Sequence, residues 1–446
     1  MSAVLTDEQQ RILDHDAGPL RIAAGAGTGK TGTLQRAIVD RIEKGASPGE
    51  ILCLTFTVEA TKEMRRRVLT ALSDHKDIDP DELTVQTYHA FAASIVREHA
   101  PLIGLDVDAA LLDRARQWQL VLEALDRCTF DKLEIGWVPT FVGKVLGLHE
   151  EMLRHVVTSD QVREWCAALP SDEVACRRAE ALQAVECYRE LKLERGALDF
   201  GDQIALAVHI LGTRPEVLER LRSRFHFVFL DEYQDTDVAQ RELVKLVAAN
   251  AGVVCAVGDV DQGIYGWRGA TIHNMFAFGE DFPGARFETL STNFRSGKRI
   301  LDLANALIDE WERPGAEKRK PLVPTADAPE ATIEAFVSPH QLDEAEEIAS
   351  RIAAGGEPWS QYAVLTRTRG VFDPIYRALV AKGVPVEVDT LGGFWTRPEI
   401  LDVVAWLRVL DDPGDNLALA RLLLGPAYRL GARDLFFLAD PAKDEN

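Results

Sequence analysis

The sequence predicts an α/β fold: a parallel sheet with flanking helices, interrupted by a helical insertion. Three observations predict it. Two apolar, β-rich runs, LRIAAGAG at 20–27 and ILCLTFT at 51–57, bracket a helical stretch, which is a βαβ pattern with a glycine-rich first turn. From about 93 to 198 the apolar period becomes helical, as in 111–128 and 171–194, with few turn residues. Strand-like runs then return at 225–232, 253–259 and 285–290, separated by helices, and would complete the sheet begun at the N-terminus.

The rest of the chain follows in order. ERPGAEKRKPLVP at 312–324 reads as a loop. A strand-like run at 331–337, a helix near 341–354 and a second run at 362–368 start a further α/β unit, with few strands after it. From about 395 the pattern is mostly helical, ending in the polar ADPAKDEN at 439–446.

Composition bounds the class. The 446 residues include 46% hydrophobic side chains, enough for ordinary cores, and exclude a disordered chain. No apolar run approaches the roughly 18 residues of a membrane span, and the polar, acidic stretch Met1 to Gln10 is not a secretory signal. The expected compartment is the cytoplasm. The cysteines form no C-x-x-C pair, so metal clusters have little support, and Cys53 and Cys255 fall in apolar runs as core residues. Acidic side chains outnumber basic ones 71 to 50, a net charge of −21, and arginine outnumbers lysine. Such a surface repels nucleic acid non-specifically, so composition alone argues against DNA binding.

Two local patterns carry chemistry. AGAGTGKT at 24–31 lies between strand and helix signals. Ala24, Gly25, Ala26, Gly27, Thr28 and Gly29 would close backbone N–H groups around phosphate oxygens, where a helix N-terminus adds positive dipole. Lys30 would reach the β- and γ-phosphates of ATP, and the Thr31 hydroxyl would bind Mg²⁺. The strict pattern has glycine where Ala24 stands. The second pattern is FVFLDEYQD at 227–235, an apolar strand ending in acids. Asp231 would hold Mg²⁺, directly or through water, and Glu232 would orient and deprotonate the attacking water.

With these residues in place a family resemblance emerges. DEYQDTDVAQ at 231–240 resembles the Walker B segment of UvrD/Rep/PcrA-type superfamily 1 DNA helicases. Other segments resemble that family's motifs in their order. LTDEQQ at 5–10 is similar to the Q motif, with Gln9 as the implied adenine reader. TFTVEATKEMRRRV at 55–68 resembles motif Ia, and TYHAF at 87–91 the next DNA-contact segment. LDFGDQ at 198–203, VGDVDQGIYGWRGA at 257–270 and LSTNFRS at 290–296 resemble the aspartate–phenylalanine segment, motif III and motif IV. AVLTRTRG at 363–370 and the run at 392–408 resemble accessory segments.

The resemblance implies a RecA-like P-loop NTPase domain at 1–92 and 199–289 and a helical domain at 93–198. A partial second RecA-like domain at 290–390 and the start of a helical accessory domain at 391–446 would follow. It implies a 3′-to-5′ helicase or translocase using ATP and Mg²⁺ on single-stranded DNA and single-strand/duplex junctions, in repair or recombination. Gln262 would sense the γ-phosphate and couple it to DNA; Arg295 resembles an arginine finger, and Phe294 the residue that stacks on adenine. Phe56, Thr57, Thr87 and His89 would line the strand's path. Bases could stack on Tyr265 and Trp267, although core packing is the alternative for both rings. Arg268 reads either as a DNA-phosphate contact or as an internal ion pair. Val58 and Glu59 stand where the family often has asparagine and lysine, and motif III departs at Val260 and Gly263. Motifs V and VI, with a second arginine finger, are expected to be missing. That expectation makes a nucleotide- and DNA-binding module completed by a separate C-terminal chain, or the motor subunit of a helicase–nuclease complex, the alternatives.

Overall fold

Short runs rich in valine, isoleucine and leucine form the strands, and threonine and aspartate side chains start many of the helices between them. The computed structural model describes residues 5–73, 79, 81–106, 109–310, 320–388 and 398–438. The chain divides into two units, Met1–Ile333 and Glu334–Asn446.

The first unit begins with α1 (Asp7–Leu13), β1 (Gly18–Ala24), α2 (Lys30–Glu43), β2 (Ile51–Thr55), α3 (Val58–Ala71), β3 (Thr84–Thr87) and α4 (Tyr88–His99). Next come β4 (Ala110–Leu111), α5 (Arg114–Asp126), α6 (Val138–Arg154), α7 (Ser159–Ala167), α8 (Glu173–Glu194) and β5 (Ala197–Leu198). The chain then returns through α9 (Asp202–Thr213), α10 (Pro215–Arg224), β6 (Phe227–Leu230), α11 (Val238–Ala248), β7 (Val253–Gly258), α12 (His273–Asp281) and β8 (Arg286–Leu290). It ends with β9 (Thr292–Asn293), α13 (Lys298–Asp309) and β10 (Val323–Pro324).

Six strands form one parallel sheet in the order β3-β2-β6-β7-β1-β8. Alternate side chains of each strand point to opposite faces. Leu52, Leu54, Val228, Leu230, Val254 and Ala256 pack with α4, α9, α11 and α12. Ile51, Cys53, Phe229, Val253, Cys255 and Val257 pack with α1, α2 and α3. A sheet covered on both faces leaves its carboxyl edge as the open place for ligands. Cys53 and Cys255 are buried core residues, as expected.

The helical insertion has its own core, running from Leu112 to Ala197 through α5, α6, α7 and α8. The expected start at 93 is corrected: α4 carries Phe91, Ala92, Ile95 and Val96 into the core of the sheet and packs against α9. Its apolar face is wide enough to cover strands, so it belongs with them.

A buried polar clasp ties this insertion to α9. Lys192 Nζ lies 2.6 Å from Asp199 Oδ2, 2.5 Å from Asp202 Oδ2 and 3.0 Å from His149 Nε2. Arg189 Nε donates to His149 Nδ1, so the neutral ring donates through Nε2 to Asp199. Burial pushes the Asp199 carboxyl up, yet His149 and Lys192 together hold it well below the usual range. The His149, Asp199 and Asp202 ligand atoms lie within 4.8 Å of one another, a spacing that suits a metal ion. The lysine ammonium sits in that place instead.

In the second unit, α14 (Gln341–Gly355) packs on α15 (Phe372–Ala381), and α16 (Pro398–Asp411) on α17 (Asn416–Leu424), followed by α18 (Ala432–Leu438). The strands expected at 331–337 and 362–368 are corrected to irregular backbone. Val337 is 98% and Leu365 93% exposed, so these apolar residues have no layer to bury against. The 290–390 stretch therefore contributes only the β9–β10 ladder as strand among the described residues. The loop expected at 312–324 lies outside the described residues as far as 319, and the run at 392–408 as far as 397. The tail 439–446 lies outside them entirely. No helix among the described residues is long and apolar enough to cross a membrane.

Candidate active site

All six strands of the sheet end at one edge, and six expected motifs start there, at Ala24, Thr55, Thr87, Asp231, Val257 and Leu290. After β1 the chain turns through Gly27 (φ 74°) and Gly29 (φ 83°), left-handed positions that a side chain would strain. Ala24, where the strict phosphate-loop pattern has glycine, is the last, buried residue of β1. Gly25 lies against Leu322: a Cβ there would stand 2.5 Å from Leu322 Cδ2, so that side chain would have to shift. The Thr28 hydroxyl donates to Gly25 O at 2.8 Å, and Gly29 caps α2, so the loop faces a helix N-terminus. Gln9 reaches the same corner: its amide nitrogen donates to Thr33 Oγ1 at 3.4 Å, and its oxygen accepts from Thr6 N.

Lys30 is buried and pairs with Glu232, Nζ to Oε2 2.8 Å. Glu232 itself has φ 50°, an uncommon conformation for a non-glycine residue that costs about 1–3 kcal/mol and concentrates at working sites. Asp231 is 2% exposed. Burial, then the Glu232 charge, pushes its carboxyl up to about 6, against the pull of Lys30 and a hydrogen bond from Thr31. Burial and Glu232 also push Asp235 up to about 6, and its Oδ1 is buried without a hydrogen-bond partner. A bound cation would relieve this excess of buried acid. The donor set fits Mg²⁺ with a nucleoside triphosphate: Thr31 and Asp231 would hold the ion, and the 25–30 loop the phosphates. Such an ion would screen the charge on the phosphoryl oxygens.

A hydrogen-bonded chain leads out of this crevice. Gln234 Nε2 donates to Glu232 Oε2 at 2.8 Å, and Gln234 Oε1 accepts from Asp259 N at 2.9 Å. Gln262 Nε2 then donates to Asp259 Oδ2 at 2.6 Å. Gln234 is 1% exposed, and a Cβ at Gly258 would stand 2.6 Å from its Oε1. Sequence reasoning missed Gln234 and Asp259; a glutamine amid buried acids was the available signal.

The chain ends at an aromatic turn above a groove of about 600 Å³. Phe56, Thr57, Thr87, His89, Trp267 and Arg268 line that groove, which brings together six of the seven residues expected to follow the strand's path. The seventh, Tyr265, has its ring centroid 4.9 Å from that of Phe56. Trp267 is 73% exposed, so core packing is not its role. The Arg268 guanidinium lies 4.6 Å over Trp267 and 5.2 Å over Tyr265, a cation–π arrangement. The Thr57 and Thr87 hydroxyls cap α3 and α4. His89 stacks on Phe200 at 4.2 Å, and burial, then Arg154, pushes its pKa down to about 4. Phe200 is 55% exposed in the same groove and was missed as a lining residue, although an aromatic between two acids signalled it. Arg154 of α6 crosses to the turn, 2.6 Å from a Cβ position at Gly269.

Phe294 and Arg295 stand beside the phosphate loop. Phe294 N donates to Gly27 O at 2.8 Å, and its ring is half exposed.

The UvrD/REP helicase N-terminal domain matches residues 5–283. The chain belongs to the UvrD/Rep helicase family. The UvrD-like helicase C-terminal domain matches 289–443, so the expectation that motifs V and VI are missing is not upheld. Relatives include the ATP-dependent DNA helicase PcrA of Leuconostoc citreum, 33% identical over 99% of this chain and 57% of its own length. PcrA of Staphylococcus epidermidis is 31% identical over 96% of this chain and 56% of its own. The ATP-dependent DNA helicase UvrD1 of Mycobacterium tuberculosis is 34% identical over 96% and 55%. The chain thus spans somewhat more than half the length of these relatives. Family membership agrees with a RecA-like P-loop fold.

Proposed function

We propose that this protein is a cytoplasmic ATP-dependent DNA helicase or translocase that moves 3′ to 5′ along single-stranded DNA and engages single-strand/duplex junctions in repair or recombination. The observation that carries the reading is the continuous chain Lys30–Glu232–Gln234–Asp259–Gln262, which ends at the turn bearing Tyr265 and Trp267. It joins a phosphate loop to a stacking surface, as a motor requires. Mg²⁺ and ATP would bind at the 25–31 loop, with Thr31 and Asp231 on the ion and with Gln9 and Phe294 flanking the base. Glu232 would take the proton of the attacking water, and Arg295 would meet the γ-phosphate. Loss of the phosphate would free Lys30 to return to Glu232, shifting Gln234 and thence the aromatic turn. Bases stacked on Trp267, Tyr265 and Phe200 would then be released and regripped, with little sequence preference.

The test is ATP turnover with and without an oligo-dT strand. Single-strand stimulation that Lys30→Ala and Glu232→Gln both abolish is the expected result. Turnover unchanged in both variants overturns the reading.

A further inference from the structure

We propose that Asn293 is a positioning residue that ties the phosphate loop to Phe294 and Arg295, so that the state of the loop sets where these two side chains stand. The proposal rests on the nucleotide-hydrolysing reading of the crevice and adds to it a link between its two halves.

A loop that turns its N–H groups toward an anion turns carbonyls away from it, and those carbonyls need donors. Here the donors come from one turn. Asn293 Nδ2 donates to Ala26 O at 2.5 Å, and Phe294 N donates to Gly27 O at 2.8 Å. The other end of the Asn293 amide faces the opposite way: Oδ1 accepts from Arg295 N at 2.8 Å and from Ser296 N at 2.7 Å. The orientation of the amide is fixed, because its nitrogen meets a carbonyl and its oxygen meets two N–H groups. Asn293 is 1% exposed, so water cannot substitute for either contact.

The approach is as close as atoms allow. A Cβ at Gly27 would stand 2.6 Å from Asn293 Nδ2 and 2.9 Å from Arg295 Cβ. The turn is also braced from behind. Asn293 pairs with Pro324 in the β9–β10 ladder, and Leu322 is held by Asn305 through two hydrogen bonds. A displacement of Ala26 or Gly27 therefore passes to residues 293–296. Among small side chains only asparagine serves both ends: aspartate would set acceptor against carbonyl, and serine could cap the turn without reaching Ala26.

The experiment uses the whole chain with Mg²⁺, ATP and oligo-dT, comparing wild type with Asn293→Asp, Asn293→Ser, Arg295→Ala and the double variants. Both Asn293 variants are expected to lose about tenfold to a hundredfold in kcat, while binding of a fluorescent ADP analogue changes by no more than about threefold. Because Asn293 acts through Arg295, adding Arg295→Ala should cost little more, a non-additivity that a merely structural role would not produce. Hydrogen exchange supplies a readout without turnover. A non-hydrolysable ATP analogue should slow the amides of 294–296 in wild type and not in Asn293→Asp. Additive losses, unchanged kcat, or equal slowing in variant and wild type overturns the proposal. If wild type binds nucleotide yet turns over none, the hydrolase reading falls and the exchange result alone decides for or against the link. Should Asn293→Asp fail to fold, Asn293→Ser carries the same comparison.

Discussion

The phosphate-loop crevice and the aromatic groove share the carboxyl edge of one sheet, yet they are made from opposite materials. In the crevice the working groups are buried charges and backbone: Lys30, Asp231, Asp235 and Thr28 are all under a tenth exposed. In the groove they are open rings, Trp267 at 73% and Phe200 at 55%. Buried charge recognises one ligand geometry and is held under tension until that ligand arrives. Open aromatic surface accepts any base and carries almost no tension. The contrast also bears on the net charge of −21. A strand held by stacking in a narrow groove needs little surface positive charge, which predicts weak non-specific binding to duplex DNA.

The sharpest way to break this contrast is to remove a crevice charge and see whether the groove notices. Glu232→Gln is expected to lower turnover by about 10²–10⁴-fold and to leave oligo-dT affinity, read by fluorescence anisotropy, nearly intact. Equal losses of both would mean that the regions are one site. The converse substitution, Trp267→Ala, should weaken oligo-dT binding by about 1–3 kcal/mol with nucleotide binding retained. A tryptophan that can be removed without effect would return the ring to a packing role.

The tension itself can be measured. The folded Asp231 carboxyl is pushed up to about 6 from an ordinary 3.8. The native state therefore binds more protons than the unfolded one between those values. Stability falls as pH rises through that window, and the cost is fully present above it. Asp231→Asn should raise stability at neutral pH by roughly 1–3 kcal/mol in denaturant titration without Mg²⁺, while abolishing turnover. A destabilised Asp231→Asn would show that the acid is already compensated. The smallest expected effect lies in the groove: His89, pushed down to about 4, stays neutral across ordinary buffers. Oligo-dT affinity of wild type and His89→Asn should keep a constant ratio, within about twofold, between about pH 5.5 and 8. A ratio that climbs on acidification would reveal a charged His89 in the grip.

Legibility in the sequence divides along the same line. The crevice is built from short contiguous strings, so 24–31 and 231–232 could be read directly: backbone geometry and strand ends make local demands on residue type. Five of the six sheet strands were legible, β2, β6 and β7 because each is a continuous apolar run; β3, TVQT, carries no such run and was missed. Phe200, Gln234 and Asn293 were not singled out because their roles depend on what lies opposite: His89 at the start of α4, Asp259 just after β7, Ala26 from the phosphate loop. The strands expected near 331 and 362 failed for a related reason. Alternation marks a residue run that could pair, and pairing requires a neighbour.

The lysine clasp beneath the groove has a consequence for ion dependence. Its cation is covalently part of α8, so it can be neither chelated nor diluted away. The crevice, by contrast, has Lys30 for Glu232 and, in the proposed reading, would borrow the further cation for Asp231 and Asp235 from solution. On that reading the first unit holds two answers to buried acid, a resident charge at the joint and an exchangeable one that the cleft would take up. Stripping divalent ions with EDTA should silence the cleft and leave the joint between helical insertion and sheet as firm as before.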